Sequence, residues 1–270
     1  MSGEGENMAR RPVVIVTGAS RGIGAATAQW LGRSGAAVSL IARTAADLET
    51  SAEAVRRSGG EALPIAADIA LQESCRSAVA RTLDRFGRID ALVNAAGVLG
   101  PIARAADAPA HDWVHNLAVN VFGPFYLIQA ALPQLRDRGG CIVNVSSGAA
   151  ENAVEGWSAY CSAKAALTHF TRVLAAEEPN VTAVSVRPGV VDTAMQAIIR
   201  QEGDAGMRSE KIAYFKRLKA DGALEPAHVP GRVIAWLALH APQSMSGRFV
   251  DYQDADVAEA ALARFGSYEE

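Results

Sequence analysis

Two side chains in the second half of the chain have the types and the spacing that proton transfer requires. Tyr160 and Lys164 are four positions apart in a segment with helical periodicity, so both side chains would reach the same face of one helix. A phenol with a pKa of about 10 is a poor acid–base group at neutral pH, and a nearby ammonium group lowers that pKa. The pair predicts a tyrosine that exchanges a proton with a substrate, although the same spacing also occurs on helix surfaces that bind nothing.

A glycine-rich turn near the amino terminus predicts a nucleotide site. It follows a run of β-branched residues, Val13–Val16, and opens a segment of helical periodicity. Glycines at such a turn let backbone N–H groups approach a pyrophosphate, and the amino terminus of the next helix favours the anion. The spacing is GxxxGxG rather than the general GxGxxG fingerprint, and a plain loop is the alternative. The expected cofactor contacts are Gly18, Ser20, Arg21, Gly22, Ile23 and Gly24.

Charge near the predicted ribose favours NADP over NAD. A carboxylate after the second strand would repel a ribose 2′-phosphate, whereas an arginine binds it through paired hydrogen bonds. Here Arg43 follows the predicted strand Ala37–Ala42, and Arg21 lies inside the glycine turn. Two arginines that simply face water are the alternative interpretation.

Two further segments are predicted to hold the adenosine. Asp68 follows the third predicted strand, where its carboxylate would accept a hydrogen bond from the adenine amino group or would cap the next helix. The fourth predicted strand ends in small residues, which would let the backbone pack beside the adenosine, although a strand-ending turn has the same composition. The candidate contacts in that turn are Asn94, Ala95 and Gly97.

Strands and helices alternate along the chain. The predicted strands are Val13–Val16, Ala37–Ala42, Ala62–Ala67, Ile89–Asn94, Cys141–Val145, Val181–Val186 and Arg248–Tyr252. The predicted helices are Ile23–Arg33, Thr44–Arg57, Leu71–Phe86, His111–Arg136 and Ser158–Glu177. Because such alternation forms right-handed βαβ crossovers, it predicts an α/β fold: a single doubly wound Rossmann-type domain with a mostly parallel seven-stranded sheet.

The domain is expected to span residues 12–270, after a flexible leader at 1–11 that offers nothing to bury. Residues 193–222 interrupt the alternation with a polar, helical-looking insertion. Because ligands bind beyond the carboxyl ends of the strands in such sheets, we interpret this insertion as a small helical substrate lid. Its expected apolar contacts are Met195, Ile198, Ile199, Met207 and Tyr214.

The composition excludes several other functions. A formal net charge of −3 provides no general field for nucleic acid or an anionic membrane, and no apolar run approaches the length of a membrane span. The three cysteines and the histidines, including His111, His115 and His169, lack metal-ligand spacing, so we expect no metal. Reduced thiols and the absence of a signal-peptide core predict a cytoplasmic protein.

Taken together, the motifs resemble those of the short-chain dehydrogenase/reductase family. The glycine turn, Asn120, the strand end Val143–Ser147 and the Tyr160/Lys164 pair stand in the family's order, and the resemblance covers about Val13 to Tyr252. It implies an oxidoreductase whose bound nicotinamide cofactor exchanges hydride with a carbonyl or alcohol. Relatives use the predicted helices His111–Arg136 and Ser158–Glu177 for association, so the resemblance also implies a homodimer or homotetramer.

The resemblance assigns a role to each catalytic position. Ser147 matches the serine that hydrogen-bonds the substrate oxygen, and Tyr160 matches the acid for reduction and the base for oxidation. Lys164 matches the lysine that lowers the tyrosine pKa and holds the nicotinamide ribose, and Asn120 matches the asparagine of a water-mediated proton relay. A segment that looks like the family's PG…T motif implies nicotinamide contacts from Pro188, Gly189, Val191 and Thr193.

Local similarity within the family indicates the substrate. Gly156–Lys164 looks like the corresponding segment of sepiapterin reductase and benzil reductase-like members, which implies a small-molecule dicarbonyl or aryl ketone. Asp251 matches an aspartate that anchors a pterin, or else ends an edge strand. Trp157 and Met195 are candidate pocket residues, and an aromatic core plug is the alternative for Trp157. An alcohol dehydrogenase or 3-oxoacyl reductase for aliphatic substrates, and a non-catalytic NADP sensor, are the competing functions.

Overall fold

A parallel sheet of seven strands forms the centre of the protein, as the alternation predicts. The computed structural model describes residues 11–268, so the predicted leader lies outside the described residues except for Arg11, whose guanidinium pairs with Glu61 at 2.7 Å. The strand order is β3-β2-β1-β4-β5-β6-β7, and every neighbouring pair is parallel. The strands are β1 Val13–Thr17, β2 Ala37–Ala42, β3 Glu61–Ala66, β4 Ala91–Asn94, β5 Cys141–Val145, β6 Thr182–Arg187 and β7 Phe249–Asp251.

Helices cover both faces of this sheet. They are α1 Gly22–Arg33, α2 Ala45–Arg57, α3 Gln72–Phe86, α4 Ala110–Leu117, α5 Gly123–Arg138, α6 Ser158–Glu177, α7 Ala194–Glu202, α8 Ser209–Ala220, α9 His228–His240 and α10 Ala255–Phe265. Successive residues of a strand point to opposite faces, so Val14 packs into the core under α1 and α9 while Ile15 packs into the core under α3 and α5. Burial on both faces explains why the central strands are continuously apolar.

The prediction of one continuous helix over His111–Arg136 is wrong. The segment begins as α4, passes through one π-helical turn at Ala118–Phe122 and continues as α5. A π-turn inserts an extra residue into the helix and shifts the faces on either side of it. The turn contains Asn120, one of the predicted catalytic residues.

The predicted lid forms two helices, α7 and α8, joined by a 3₁₀ turn at Gly203–Ala205. Ile199 and Met207 are buried in one apolar cluster with Tyr160, and Met195 and Ile198 pack against it. Tyr214, also an expected apolar contact, is instead 37% exposed because it lies on the outer face of α8. Within residues 11–268, no helix is long and apolar enough to cross a membrane, and no cluster of potential metal ligands is present.

Candidate active site

The predicted site residues meet at one edge of the sheet because all strands run in the same direction. The glycine turn follows β1, and Arg43, Asp68 and Asn94 follow or end the next three strands in sequence. Ser147 follows β5, and Pro188 follows β6. The strand order reverses between β1 and β4, which is where α/β sheets open a crevice for a ligand.

Glycines let the turn pack closely against its own backbone and the turn after β4. Gly18 has φ +64°, and a Cβ atom there would lie 2.8 Å from the backbone of Ala96. A Cβ atom on Gly24 would lie 2.3 Å from the carbonyl oxygen of Gly18. Helix α1 begins at Gly22, so its first N–H groups point out of the helix at this turn. The turn therefore fits the pyrophosphate of a dinucleotide.

Arg21 and Arg43 are both exposed at this edge, and Ser20 and Ile23 are half-buried. Within residues 11–268, neither arginine is held in an ion pair, so both guanidinium groups are available to an anionic ligand. Asp68 accepts a hydrogen bond from the backbone N–H of Ala70 at 3.0 Å. Helix α3 begins at Gln72 with Leu71 at its N-cap and no side-chain cap, so this bond closes a turn before the helix and the capping alternative is wrong, whereas adenine binding stays a prediction.

The turn after β4 is fixed from both sides. Thr17 accepts hydrogen bonds from the backbone N–H groups of Ala95 and Ala96, both at 3.1 Å. Asn94 donates to Asn144 at 2.8 Å, and its own side-chain oxygen is buried without a partner among the described residues. These contacts hold the turn directly against the glycine turn, at the edge of the sheet where a cofactor would bind.

Tyr160 and Ser147 form the centre of the site. The Ser147 side chain is close enough to the Tyr160 phenol to lower its pKa, but burial is the larger effect and raises the pKa of Tyr160 to about 12. The Ser147 hydroxyl also accepts a hydrogen bond from the backbone N–H of Ala149 at 3.1 Å. The Ser147 and Tyr160 side chains are thus neighbours in one buried part of the site.

Lys164 lies one helical turn beyond Tyr160 and is 4% exposed. Its Nζ atom donates a hydrogen bond to the carbonyl oxygen of Val145 at 2.8 Å and lies 5.6 Å from the centroid of the tyrosine ring. Burial lowers the pKa of Lys164 to about 8. The expected lowering of the Tyr160 pKa by this ammonium group is wrong for the protein without cofactor: burial raises that pKa, and Ser147 rather than Lys164 opposes the rise.

Asn120 is completely buried in the π-turn. Its side-chain amide donates to the carbonyl oxygen of Val98 at 2.8 Å and to the side-chain oxygen of Asn116 at 2.9 Å. A Cβ atom on Gly97 would lie 2.8 Å from the Asn120 oxygen and 3.6 Å from Lys164 Nζ, so these two side chains face the same glycine. Asn116 is a site residue that the motifs do not predict; its spacing of four from Asn120 is the signal in the sequence that places both on one helix face.

The segment after β6 packs against Tyr252, the residue that follows β7. Gly189 has φ +78°, and a Cβ atom there would lie 2.6 Å from the ring of Tyr252. Val191 pairs with Glu225 in an isolated parallel bridge. Thr193 comes within contact distance of the glycine turn, because a Cβ atom on Gly22 would lie 3.2 Å from its methyl group. The predicted nicotinamide segment and the predicted pyrophosphate turn are therefore adjacent.

Asp251, the predicted pterin anchor, contacts protein groups. One carboxylate oxygen accepts a hydrogen bond from Nε of Arg187 at 2.5 Å, and the other accepts from the backbone N–H of Gln253 at 2.9 Å. The Arg187 side chain in turn lies against Gly148, whose Cβ position is 3.3 Å from it. Asp251 thus reaches the loop after Ser147 through an ion pair, and its role towards a substrate stays a prediction.

Trp157 joins the lid to the catalytic helix. Its ring stacks on Phe215 of α8 with centroids 5.8 Å apart, and it meets the Tyr160 ring edge to face at 5.9 Å. Trp157 is 7% exposed, and its indole N–H has no hydrogen-bond partner among the described residues. This position is compatible with both interpretations of Trp157, as a pocket residue and as an aromatic core plug, because the Trp157 ring belongs to the apolar cluster that also contains Tyr160.

Rossmann topology, a glycine turn and a converged Ser–Tyr–Lys–Asn set define an oxidoreductase of the dinucleotide-binding type. The family model described as short chain dehydrogenase matches residues 12–204, and the chain belongs to the short-chain dehydrogenase/reductase family. Members of this family use nicotinamide cofactors, and the geometry of the turn fits one.

The most similar proteins include reductases. The chain is 35% identical over 255 residues to a benzil reductase of Saccharomyces cerevisiae that forms (S)-benzoin, covering 90% of this chain and 96% of that protein. A benzil reductase of Bacillus subtilis, also (S)-benzoin forming, is 33% identical over 230 residues, with 83% and 92% covered. These relatives support a carbonyl reductase, whereas the resemblance to sepiapterin reductase stays a prediction.

Solved structures agree on the fold. A short-chain dehydrogenase/reductase from Saccharomyces cerevisiae superposes with a TM-score of 0.87 at 36% identity, covering 92% of this chain and 98% of that one. Similar structures at lower identity include an NAD⁺-bound xylitol dehydrogenase (26%, TM-score 0.82) and an alcohol dehydrogenase of Thermococcus sibiricus complexed with 5-hydroxy-NADP (27%, TM-score 0.75). Both kinds of nicotinamide cofactor therefore occur among structural neighbours.

Proposed function

We propose that the protein is an NADPH-dependent carbonyl reductase that acts on aryl ketones or dicarbonyls, with Tyr160 as the general acid. The observation that carries this proposal is the buried Tyr160 phenol, with Lys164 Nζ 5.6 Å from its ring centroid and the Ser147 hydroxyl close enough to lower its pKa. When bound, NADPH supplies the hydride. The protein's own residues orient the carbonyl, polarise it and deliver the proton.

The high pKa of Tyr160 suits reduction. With a pKa raised to about 12, the phenol stays protonated at neutral pH and can donate its proton to the developing alkoxide. Ser147 donates a second hydrogen bond to the same oxygen, which stabilises charge that grows in the transition state. Lys164 lies beside the phenol ring and faces Gly97 together with Asn120, and these two residues would pass a replacement proton from water.

Two observations support NADPH and an aromatic substrate. Arg21 and Arg43 are exposed and can pair with the 2′-phosphate of NADP. The neutral 2′-hydroxyl of NAD would leave both guanidinium groups without an ionic partner. The stacked rings of Trp157 and Phe215 provide an aromatic wall beside Tyr160, to which a flat aryl group can pack. The similarity to two benzil reductases agrees with this wall.

The test is oxidation of NADPH and NADH by the wild type and by Tyr160→Phe with benzil, an aryl 1,2-dione, sepiapterin and an acetoacetyl thioester. We expect wild-type turnover of the aryl substrates with NADPH, and a loss of at least about 100-fold in kcat without the phenol proton. Preferred turnover of the thioester would favour the aliphatic 3-oxoacyl reductase. Tight NADPH binding without turnover of any substrate would favour the sensor.

We further propose that the protein is a cytoplasmic homodimer or homotetramer. Its three cysteines are free, as in reducing compartments. Large apolar side chains remain exposed on α4, the π-turn, α5 and α6, namely Val114, Phe122, Phe125 and Val173. Light scattering should give a mass of two or four chains, and Phe125→Arg should lower it; a monomeric wild type would contradict the assembly.

A further inference from the structure

The side chain of Asn116, in the short helix α4, forms hydrogen bonds with both the loop at 98–100 and Asn120. It is completely buried near the end of α4. Its side-chain nitrogen donates towards three successive backbone carbonyl oxygens, of Val98 at 3.2 Å, Leu99 at 3.0 Å and Gly100 at 2.7 Å. Its side-chain oxygen accepts a hydrogen bond from the Asn120 amide at 2.9 Å.

The chemistry of these partners fixes which way the Asn116 amide points. Backbone carbonyl oxygens only accept hydrogen bonds, so the group that faces the three of them must be the NH₂ group. The side-chain oxygen of Asn116 must then face Asn120. Because that oxygen also only accepts, the group of Asn120 that meets it must be its NH₂ group.

The same reasoning fixes the oxygen of Asn120. It is turned towards the backbone N–H of Val98, which donates to it at 3.3 Å, and towards the place at Gly97 that Lys164 Nζ also faces. Val98 therefore brackets the Asn120 amide through both its N–H and its C=O, and Asn116 holds Val98 in turn. A reversed Asn120 amide would set its NH₂ group against the Val98 N–H.

We propose that Asn116 is a positioning residue that, together with Val98, sets the orientation of the Asn120 amide and so keeps the Asn120 oxygen facing Gly97, which Lys164 Nζ also faces. This inference rests on the proposed reductase function for its effect on turnover. Asn116 acts through Asn120 and touches neither substrate nor cofactor. The direction of each hydrogen bond is then fixed. Asn120 donates to Asn116, and Asn116 donates to the loop at 98–100.

The kinetic test is a double-mutant cycle of Asn116→Leu and Asn120→Ser. Asn116→Leu removes the contacts to the loop at 98–100 and the hydrogen bond to the Asn120 amide. Loss of the bond to Asn120 should lower kcat about tenfold, with KM within about twofold of the wild type. In the Asn120→Ser background, Asn116→Leu should cause no further loss, because its target is already gone. An equal tenfold loss in both backgrounds, or a change in KM alone, would overturn the proposal.

A matched control separates this role from general loss of a buried polar contact. Thr82→Val removes a buried hydrogen bond to Ser39, 2.9 Å long, on α3 and far from the strand ends that form the site. It should lower the unfolding temperature as Asn116→Leu does, but leave kcat unchanged. If the Thr82→Val and Asn116→Leu proteins lost kcat equally, the effect of Asn116 would be structural.

A second readout is independent of turnover. Amide hydrogen exchange in the wild type without cofactor should show protection of the Val98 N–H, and Asn116→Leu should reduce that protection more than the protection of β4. Unchanged Val98 protection in a folded Asn116→Leu protein would overturn the proposal. If the wild type reduces none of the test carbonyls, the proposed function fails while this exchange experiment still decides the role of Asn116.

Discussion

Lys164 donates its side-chain hydrogen bond to the carbonyl oxygen of Val145, on the strand next to its helix, rather than to the phenol of Tyr160. The two side chains are nevertheless neighbours, with Nζ 5.6 Å from the ring centroid. Burial shifts their pKa values in opposite directions, to about 8 for the lysine and about 12 for the tyrosine. The lysine is therefore the first of the pair to lose its proton as the pH rises.

This order predicts the pH profile of reduction. As pH rises through about 8, Lys164 loses its charge while Tyr160 remains protonated, so kcat/KM should fall on the alkaline side with an apparent pKa of about 8. Initial rates from pH 6 to pH 10 measure it. Lys164→Arg keeps a positive charge through this range and should remove the alkaline limb; a limb that persists near pH 8 in that variant would assign it to another group.

The lid predicts a difference between two neighbouring aromatic residues. Phe215 is 5% exposed and stacks on Trp157, whereas Tyr214 is 37% exposed. Phe215→Ala should lower the free energy of unfolding of the lid region by roughly 3 kcal/mol. It should also lower kcat/KM for benzil about tenfold more than for a small aliphatic dione, because the aryl group loses part of its wall.

Tyr214→Ala is the matched control for this variant. It removes an aromatic ring from the same helix but not from the stack on Trp157, so its ratio of kcat/KM values for the two diones should equal that of the wild type. Steady-state kinetics with both substrates give the ratio. An equal loss for both diones in Phe215→Ala would mean that the stack holds the lid but does not select the substrate.

Much of the fold follows from local pattern. The strand bounds differ from the predicted ones by at most two residues, because each buried parallel strand is a short apolar run that ends at a turn. The glycine turn, Ser147, Tyr160 and Lys164 also meet where the motif order implies. Parallel strands bring their carboxyl ends together, so the position of a residue along the chain largely determines its place at the sheet edge.

The contacts between distant segments could not be predicted in this way. The π-turn at Ala118–Phe122 has no pattern that differs from an ordinary helix, and the amide pair of Asn116 and Asn120 depends on the loop that it contacts. The stack of Trp157 on Phe215 requires the lid to fold back over α6. Such contacts arise from tertiary packing, which hydrophobic periodicity in one segment does not encode.

Asp251 gives a prediction that separates a substrate anchor from a structural ion pair. Its carboxylate holds Arg187 beside Gly148, in the loop that follows Ser147. Asp251→Asn should release Arg187 and lower kcat several-fold for benzil and for sepiapterin alike. A rise in KM for sepiapterin alone, with benzil kinetics unchanged, would instead identify Asp251 as the pterin anchor.

Arg43 provides the sharpest test of cofactor choice. It is exposed after β2, where a ribose 2′-phosphate would approach, and a charged hydrogen bond to phosphate contributes about 1.5–3 kcal/mol. Arg43→Asp should therefore raise the Kd for NADPH about 10- to 100-fold and leave that for NADH nearly unchanged, as measured by quenching of tryptophan fluorescence. Arg57→Asp makes the same change in net charge on an exposed residue at the other end of α2, so it controls for the general field. Equal weakening of both cofactors by Arg43→Asp would remove Arg43 from the phosphate site and leave Arg21 as the group to test.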